Sequence, residues 1–178
     1  MPPKLAAFAA VVCISLPALA LDTDYYGFEG QAGVFGSRPT LGVGFSGHVL
    51  FSTSELTLLE SARIHGGPYG IRVDNDVAIG KLVPVGNGFI EPFLGLNFSL
   101  NSITGLPVWV VPGLLFLFPV ADRRLTFNAG ALIGILGGGV GAALEARLYP
   151  SKDGLYFGVV TQLVSPGLLL LGAVGVLF

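Results

Sequence analysis

Phe89-Ile90-Glu91-Pro92-Phe93-Leu94-Gly95-Leu96-Asn97-Phe98-Ser99-Leu100 decides the fold. One alternate set reads Phe89, Glu91, Phe93, Gly95, Asn97, Ser99, and the other Ile90, Pro92, Leu94, Leu96, Phe98, Leu100. Residues two apart share a face only on an extended chain, so the stretch is a strand with one apolar face and one mixed, polar face. The division recurs at Arg124, Thr126, Asn128, Gly130 against Leu125, Phe127, Ala129, Ala131, Ile133, and at Gly141, Ala143, Glu145, Arg147, Tyr149 against Val140, Ala142, Leu144, Ala146, Leu148. Near the start, Tyr25, Gly27, Glu29, Gln31 oppose Tyr26, Phe28, Gly30, Ala32, Val34, and Gly42, Gly44, Ser46, His48 oppose Leu41, Val43, Phe45, Val49, Phe51. In these strands the charges keep to one face. A transmembrane β-barrel, with lipid outside and a polar lumen within, accounts for both sets.

Composition points the same way. The chain is 52% hydrophobic and 11% charged, whereas about a quarter of residues are charged in a soluble domain. Its formal charge of −2 comes without a basic run, which argues against nucleic acid as a partner. The 27 glycines and 12 prolines are scattered, a spacing that breaks helices and suits short strands joined by tight turns. A mean hydropathy of +0.77 also fits a helical membrane protein. That rival must use Leu106–Val120, Ala129–Leu144 and Leu163–Phe178, each short of the roughly 20 residues a spanning helix needs.

The amino terminus carries Lys4, an apolar stretch from Leu5 to Leu19, and Ala18-Leu19-Ala20 as a small-x-small cleavage site. This predicts a secretory signal over 1–20, with Cys13 removed along with it, and a single barrel domain over 21–178 without cysteine. Ten strands are expected near 25–34, 40–51, 55–64, 71–84, 88–100, 107–118, 123–136, 139–149, 155–165 and 168–178. An even count puts both termini on the periplasmic side. Glu60, Asn75 and Lys81 break the alternation in the third and fourth segments, so eight strands with a long loop stay open. Tyr25, Tyr26, Phe51, Phe89, Phe118, Tyr149, Tyr156, Phe157 and Phe178 all fall at the periplasmic ends of these segments, where barrels carry an aromatic girdle.

Taken together, the signal, the Glu91-Pro92-Phe93-Leu94-Gly95 strand after a Gly-Asn-Gly turn, the Arg147-Leu148-Tyr149-Pro150 to Gly154-Leu155-Tyr156-Phe157 hairpin and the terminal Phe178 give a chain that resembles the small bacterial outer-membrane barrels of the opacity-protein and outer-membrane-protein-X type. The resemblance implies insertion by the outer-membrane assembly machinery, which reads a terminal aromatic strand ending here at Phe178. It also implies roles between adhesion and membrane integrity. The outward loops are short, which takes weight from adhesion.

The expected lumen network comprises Glu29, His48, Arg63, Arg72, Glu91, Asn97, Arg124, Asn128, Glu145 and Arg147. Charges inside a small barrel need partners; Glu91 with a neighbouring arginine and Glu145 with Arg124 are the pairs expected to plug it. Lys81 falls on the outward set and is expected to reach for the interface. Ser46 and His48, with Glu29 as carboxylate, are the only support for a hydrolase of the lipid A deacylase kind. His65 reads as an exposed turn residue; Asp74 and Asp76 stand among the charged lumen candidates, and weighed as a calcium site they read instead as a solvated strand end. Segments 107–118 and 168–178 carry Leu and Val on both faces, which suits either a lipid or small hydrophobic ligand inside the barrel or packing against a second protomer or an internal segment. The expectation is therefore an integral outer-membrane barrel with a structural or interaction role and no cofactor. A narrow channel or ligand-binding barrel is the alternative, and an enzyme ranks third.

Overall fold

In the computed structural model, the structure describes residues 22–51, 55–67, 70–101, 107–120, 123–136, 139–150, 154–164 and 167–177. The expected signal at 1–20 and Phe178 lie outside the described residues. What is described is all β: β1 (Asp22–Phe35), β2 (Arg38–Leu50), β3 (Leu56–Gly67), β4 (Gly70–Lys81), β5 (Val83–Val85), β6 (Gly88–Asn101), β7 (Val108–Val120), β8 (Arg123–Leu136), β9 (Val140–Tyr149), β10 (Gly154–Val164) and β11 (Gly167–Leu177). Strands of this length are what crossing a bilayer requires.

All pairings are antiparallel between chain neighbours, with two additions: β1 pairs with β11, from Gly27–Leu177 to Phe35–Leu169, and β4 pairs with β6, from Arg72–Asn101 to Gly80–Phe93. Together they close the sheet into a ring. The short β5 prolongs β4 in the same register against β6, so the barrel has ten strands. The eight-strand alternative falls on the β3–β4 ladder, which is continuous from Leu56–Lys81 to Gly67–Gly70. Glu60 and Asn75 interrupt the hydrophobic pattern without interrupting the strands.

Local chemistry explains the interruptions. Opposite Lys81 and Leu82 stand Pro92 and Glu91, where the ladder is broken; Pro92 has no N–H to donate. On its other side the Leu82 N–H carries the β3–β4 register one pair further, to the Glu55 carbonyl 3.0 Å away. Gly36 (φ 62°) and Gly86 (φ 60°) each open a two-residue hairpin loop, between Phe35–Arg38 and Val85–Gly88. A glycine with positive φ there matches the twist of the flanking strands.

Outward residues form an apolar belt in which Phe28, Leu41, Ile79, Leu94, Leu155 and Val174 are each more than half exposed, a surface suited to lipid and not to water. Phe118 and Phe157 stand on this outer surface at the end of the barrel where β1 begins and β11 ends, whereas Phe89, opposite the buried Leu117, falls on the inward row at the same rim. Tyr149 and Tyr156, read from the sequence as girdle residues, point inward instead. They are 1% and 0% exposed, meet as tilted rings with centroids 5.2 Å apart and pack with Leu177. A phenol with a buried carboxylate to bond is better placed in the lumen than at the interface.

The closing seam between β1 and β11 tolerates little. A Cβ on Gly33 would sit on the carbonyl oxygen of Leu170 and 2.8 Å from the Leu171 Cα, whereas one on Gly30 meets nothing nearer than 4.0 Å. Gly33→Ala is expected to lower sharply the yield of compact, fast-migrating unboiled protein on electrophoresis after refolding, and Gly30→Ala to leave it unchanged. Equal yields for the two variants would contradict a tight seam.

Candidate functional site

Strand alternation delivers the site. Because the period is two, every second residue of each strand enters the lumen, and the ten residues named from the sequence all lie on these inward rows. The structure assembles them into two clusters.

The larger centres on Arg63 of β3 and Arg147 of β9. Arg63 Nη2 donates to Glu145 Oε2 at 2.7 Å, and its Nη1 lies 3.5 Å from Asp76 Oδ2. Arg147 Nη1 lies 2.5 Å from Glu145 Oε1, and Nη2 reaches both oxygens of Glu29 at 3.1 Å. Tyr156 donates its hydroxyl to Glu29 Oε2 at 2.8 Å, and Gln31 its amide to Oε1 at 2.5 Å. Asp76 also accepts from Ser61 at 2.9 Å and from Asn97 at 2.6 Å. Around the ring β3 and β9 are diametrically opposite. The Arg63–Glu145 pair therefore crosses the whole lumen.

A second crossing lies nearer the end away from the termini. Arg72 of β4 donates from Nη2 to Gln162 Oε1 of β10 at 2.7 Å, and these strands are again opposite one another. Arg72 Nε is held by Asp74 at 2.8 Å and Ser99 at 3.1 Å. His65 Nε2 donates to Gln31 Oε1 at 2.5 Å, while its Nδ1 lies 3.6 Å from Asp74. Polar groups thus line up from Arg72 through Asp74, His65 and Gln31 to Glu29, with a 3.6 Å step between Asp74 and His65.

The smaller cluster is His48, Glu91 and Thr57, each fully buried. His48 Nε2 donates to Glu91 Oε2 at 2.9 Å, and the Thr57 hydroxyl donates to Glu91 Oε1.

Several sequence expectations are corrected here. Glu91 is met by His48 and Thr57 rather than by an arginine, and Glu145 by Arg63 and Arg147 rather than by Arg124. Arg124 places its guanidinium 4.7 Å over the Tyr149 ring, while Asn128 stands opposite Glu145 in register. His48 turns to Glu91 and Glu29 to Arg147, so Ser46, His48 and Glu29 do not assemble as a triad. His65 is 3% exposed inside β3, not a turn residue, and Asp74 and Asp76 are lumen acceptors rather than a solvated strand end. Lys81 is exposed beside Glu55 at 3.9 Å. Gln31, Ser61, Gln162 and Tyr156 were missed as network members. For three of them the signal was available, since Gln31, Ser61 and Gln162 are polar residues on inward rows.

Apolar side chains fill the rest of the lumen. Trp109 and Leu132 pack with Val111 and Ala143, and Val160, Leu169 and Leu171 with Phe35. A cavity of about 110 Å³ remains between this apolar arc and the Arg63 cluster.

Removing one partner of a buried, hydrogen-bonded ion pair costs roughly 3–5 kcal/mol, while a well-packed apolar replacement of both is often neutral. Arg63→Ala is accordingly expected to lower the temperature at which the compact band converts to the unfolded one, and the Arg63→Met/Glu145→Leu pair to recover most of the loss. A single substitution with no effect would show that the crossing contributes nothing to stability.

No protein-family model matches the chain, and no curated protein matches it. Among solved structures the chain is similar to the outer membrane protein Omp33 of Acinetobacter baumannii, at 9% identity over 87% of this chain and 96% of that one, with a TM-score of 0.34.

Proposed function

We propose that the protein is an integral barrel of the bacterial outer membrane with a sealed lumen, serving as a structural or interaction element of the envelope rather than as an open channel or an enzyme. One observation carries this reading. The two interior crossings, Arg63 to Glu145 and Arg72 to Gln162, join opposite walls at different heights, and packed apolar side chains take up the space beside them. A channel needs a continuous wet path, and a small barrel has room for side chains or one small ligand but little else.

The apolar belt supports lipid as the surrounding medium, and a strand reaching Leu177 and closing on β1 supports insertion from the carboxyl-terminal strand by the assembly machinery. With no long polar loop to carry contacts, the interaction surface left to such a protein is the outer wall itself. Against catalysis stands the engagement of His48 with Glu91 and of Glu29 with Arg147.

Planar-bilayer recording of refolded protein tests the sealed lumen. The wild type is expected to give no stable conductance steps, whereas Arg63→Ala combined with Arg72→Ala, which removes both crossings, is expected to produce small ionic currents. A steady nanosiemens conductance from the wild type would overturn the reading.

A further inference from the structure

We propose that the cavity on the β7–β8 side of the lumen is a binding site for the end of a hydrocarbon chain, entered sideways from the bilayer through the barrel wall. The inference rests on the membrane-barrel reading above but goes beyond it, since a sealed structural barrel needs no such site.

Three observations converge on one stretch of wall. The first is a gap in the ladder. Pairing between β7 and β8 passes from Val110–Ile133 straight to Gly113–Gly130, leaving Val111 and Pro112 without partners on β8, while on the other side Pro112 pairs normally with Leu94. Proline has no N–H for the β8 edge, so the seam lacks bonds that every other long pairing keeps across its middle. The second is thinness. Val111 and Leu132 are the inward side chains at the gap itself, but the next inward positions are Gly113 and Gly130, and the outward row has Pro112 facing Ala131, so the wall thins directly beside the gap. The space inside is taken by Phe93, whose ring lies where a Cβ on Gly113 would go, its Cε1 only 2.8 Å from that point. A phenylalanine ring over two glycines is a movable cover, since it turns about two torsions, whereas a Cβ would be fixed to the wall.

The third is what lies behind Phe93. The cavity of about 110 Å³ is bounded on this side by Phe93, Val111, Leu115, Leu132, Ala143 and Leu169. On its far side the carboxylates of Asp76 and Glu145 already have cationic partners in Arg63 and Arg147, so no unmatched charge asks for a polar headgroup. The cavity is two-sided, with Ser61, Asn97, Thr126 and Asn128 beside the ion pairs on its far wall; an apolar cavity of roughly 150 Å³ takes benzene, so the apolar half of this space has room for the end of one chain and none for a whole lipid. The axial routes are closed by Arg72–Gln162 on one side and by Tyr149, Tyr156 and Leu177 on the other. Access through the lipid-facing seam is what remains. Either a membrane lipid's acyl tail or a free fatty acid offers the required chemistry.

Trp109 is the sole tryptophan and packs on Leu132, Val111 and Ala143, so it reports on the cavity. The full-length protein is refolded and its tryptophan quenching is titrated with dodecanoate carrying bromine on its last carbon. Saturable quenching is expected in the wild type. Gly130→Leu and, from its cross-strand neighbour on β9, Ala143→Leu fill the cavity and are expected to weaken the apparent affinity roughly tenfold, the loss of about two buried methylenes. The second variant covers failure of the first to fold. In vesicles of phosphatidylcholine brominated at the chain end, stronger quenching of wild type than of the filled variants without added acid assigns the site to lipid tails; a difference seen only with the free acid assigns it to fatty acids. Identical quenching of wild type and a folded variant in both arms means that the chains stay on the outer surface, and overturns the site. Loss of the heat-dependent mobility shift in the wild type itself would instead sink the barrel reading on which the site depends.

Discussion

Everything in this structure follows from the requirement that a sheet surrounded by lipid leave no backbone donor or acceptor exposed. An open ten-stranded sheet would present two bare edges. The β1–β11 and β4–β6 pairings remove them, and once the ring is closed each strand's alternation is forced to sort its residues into an outside and an inside. The apolar belt, the charged interior and the tight glycine contact at Gly33 are consequences of that closure. Pro92 and Pro112, prolines on outward rows well inside their strands, mark the places where the requirement is met least completely.

Closure creates a second problem, because ten strands enclose more space than a protein core can leave empty. The chain solves it with two different fillings. One arc of wall, on β7, β8, β10 and β11, sends in Trp109, Leu115, Leu132, Leu169 and Leu171, all at most 6% exposed. The opposite arc sends in the carboxylates of Glu29, Asp74, Asp76 and Glu91, joined by Glu145 from β9. They are met by Arg63, Arg72, Arg147, His48 and His65. Charges inside a low-dielectric shell are costly alone and tolerable as matched sets, so the arginines are needed wherever the acids are. Bonds across the full diameter carry these groups through the middle of the lumen instead of keeping them along its wall.

Fold and lumen membership were legible in the sequence because both depend only on period two, which survives without knowledge of register. The Phe89–Leu100 alternation and the glycine-marked turns gave strand limits within a few residues, and Glu29, Glu145 and Arg147 fell on the inward rows by counting alone. Partners were not legible. Whether Glu91 meets an arginine or His48 depends on how far β2 is staggered against β6 around the ring, and stagger is a property of the closed barrel rather than of any strand. The same limit explains Tyr156. Its place at a strand end suggests a girdle, but its parity puts it inside, and only the register shows Glu29 waiting there. His65 was misread for a simpler reason: the neighbouring glycines signal a turn, yet β3 extends through Gly67 before it reverses.

The two fillings also explain why the wall is uneven. Where inward side chains are large, as at Trp109 and Leu132, neighbouring positions must be small for the cross-section to close, and Gly113, Gly130 and Ala143 supply that relief on the apolar arc. On the polar arc the relief comes from Gly42 and Gly44, where the His65 ring and the Glu29 side chain lie over the bare backbone. The pairing of a bulky residue with a facing glycine is therefore the same device on both sides, with opposite consequences. Over Gly44 the occupant is a carboxylate held by Arg147 and Tyr156, and moving it would strand a buried charge. Over Gly113 the occupant is Phe93, held by dispersion alone, and moving it exposes only more hydrocarbon. Of the two arcs, the apolar one is thus the side on which this barrel can yield without breaking its interior network.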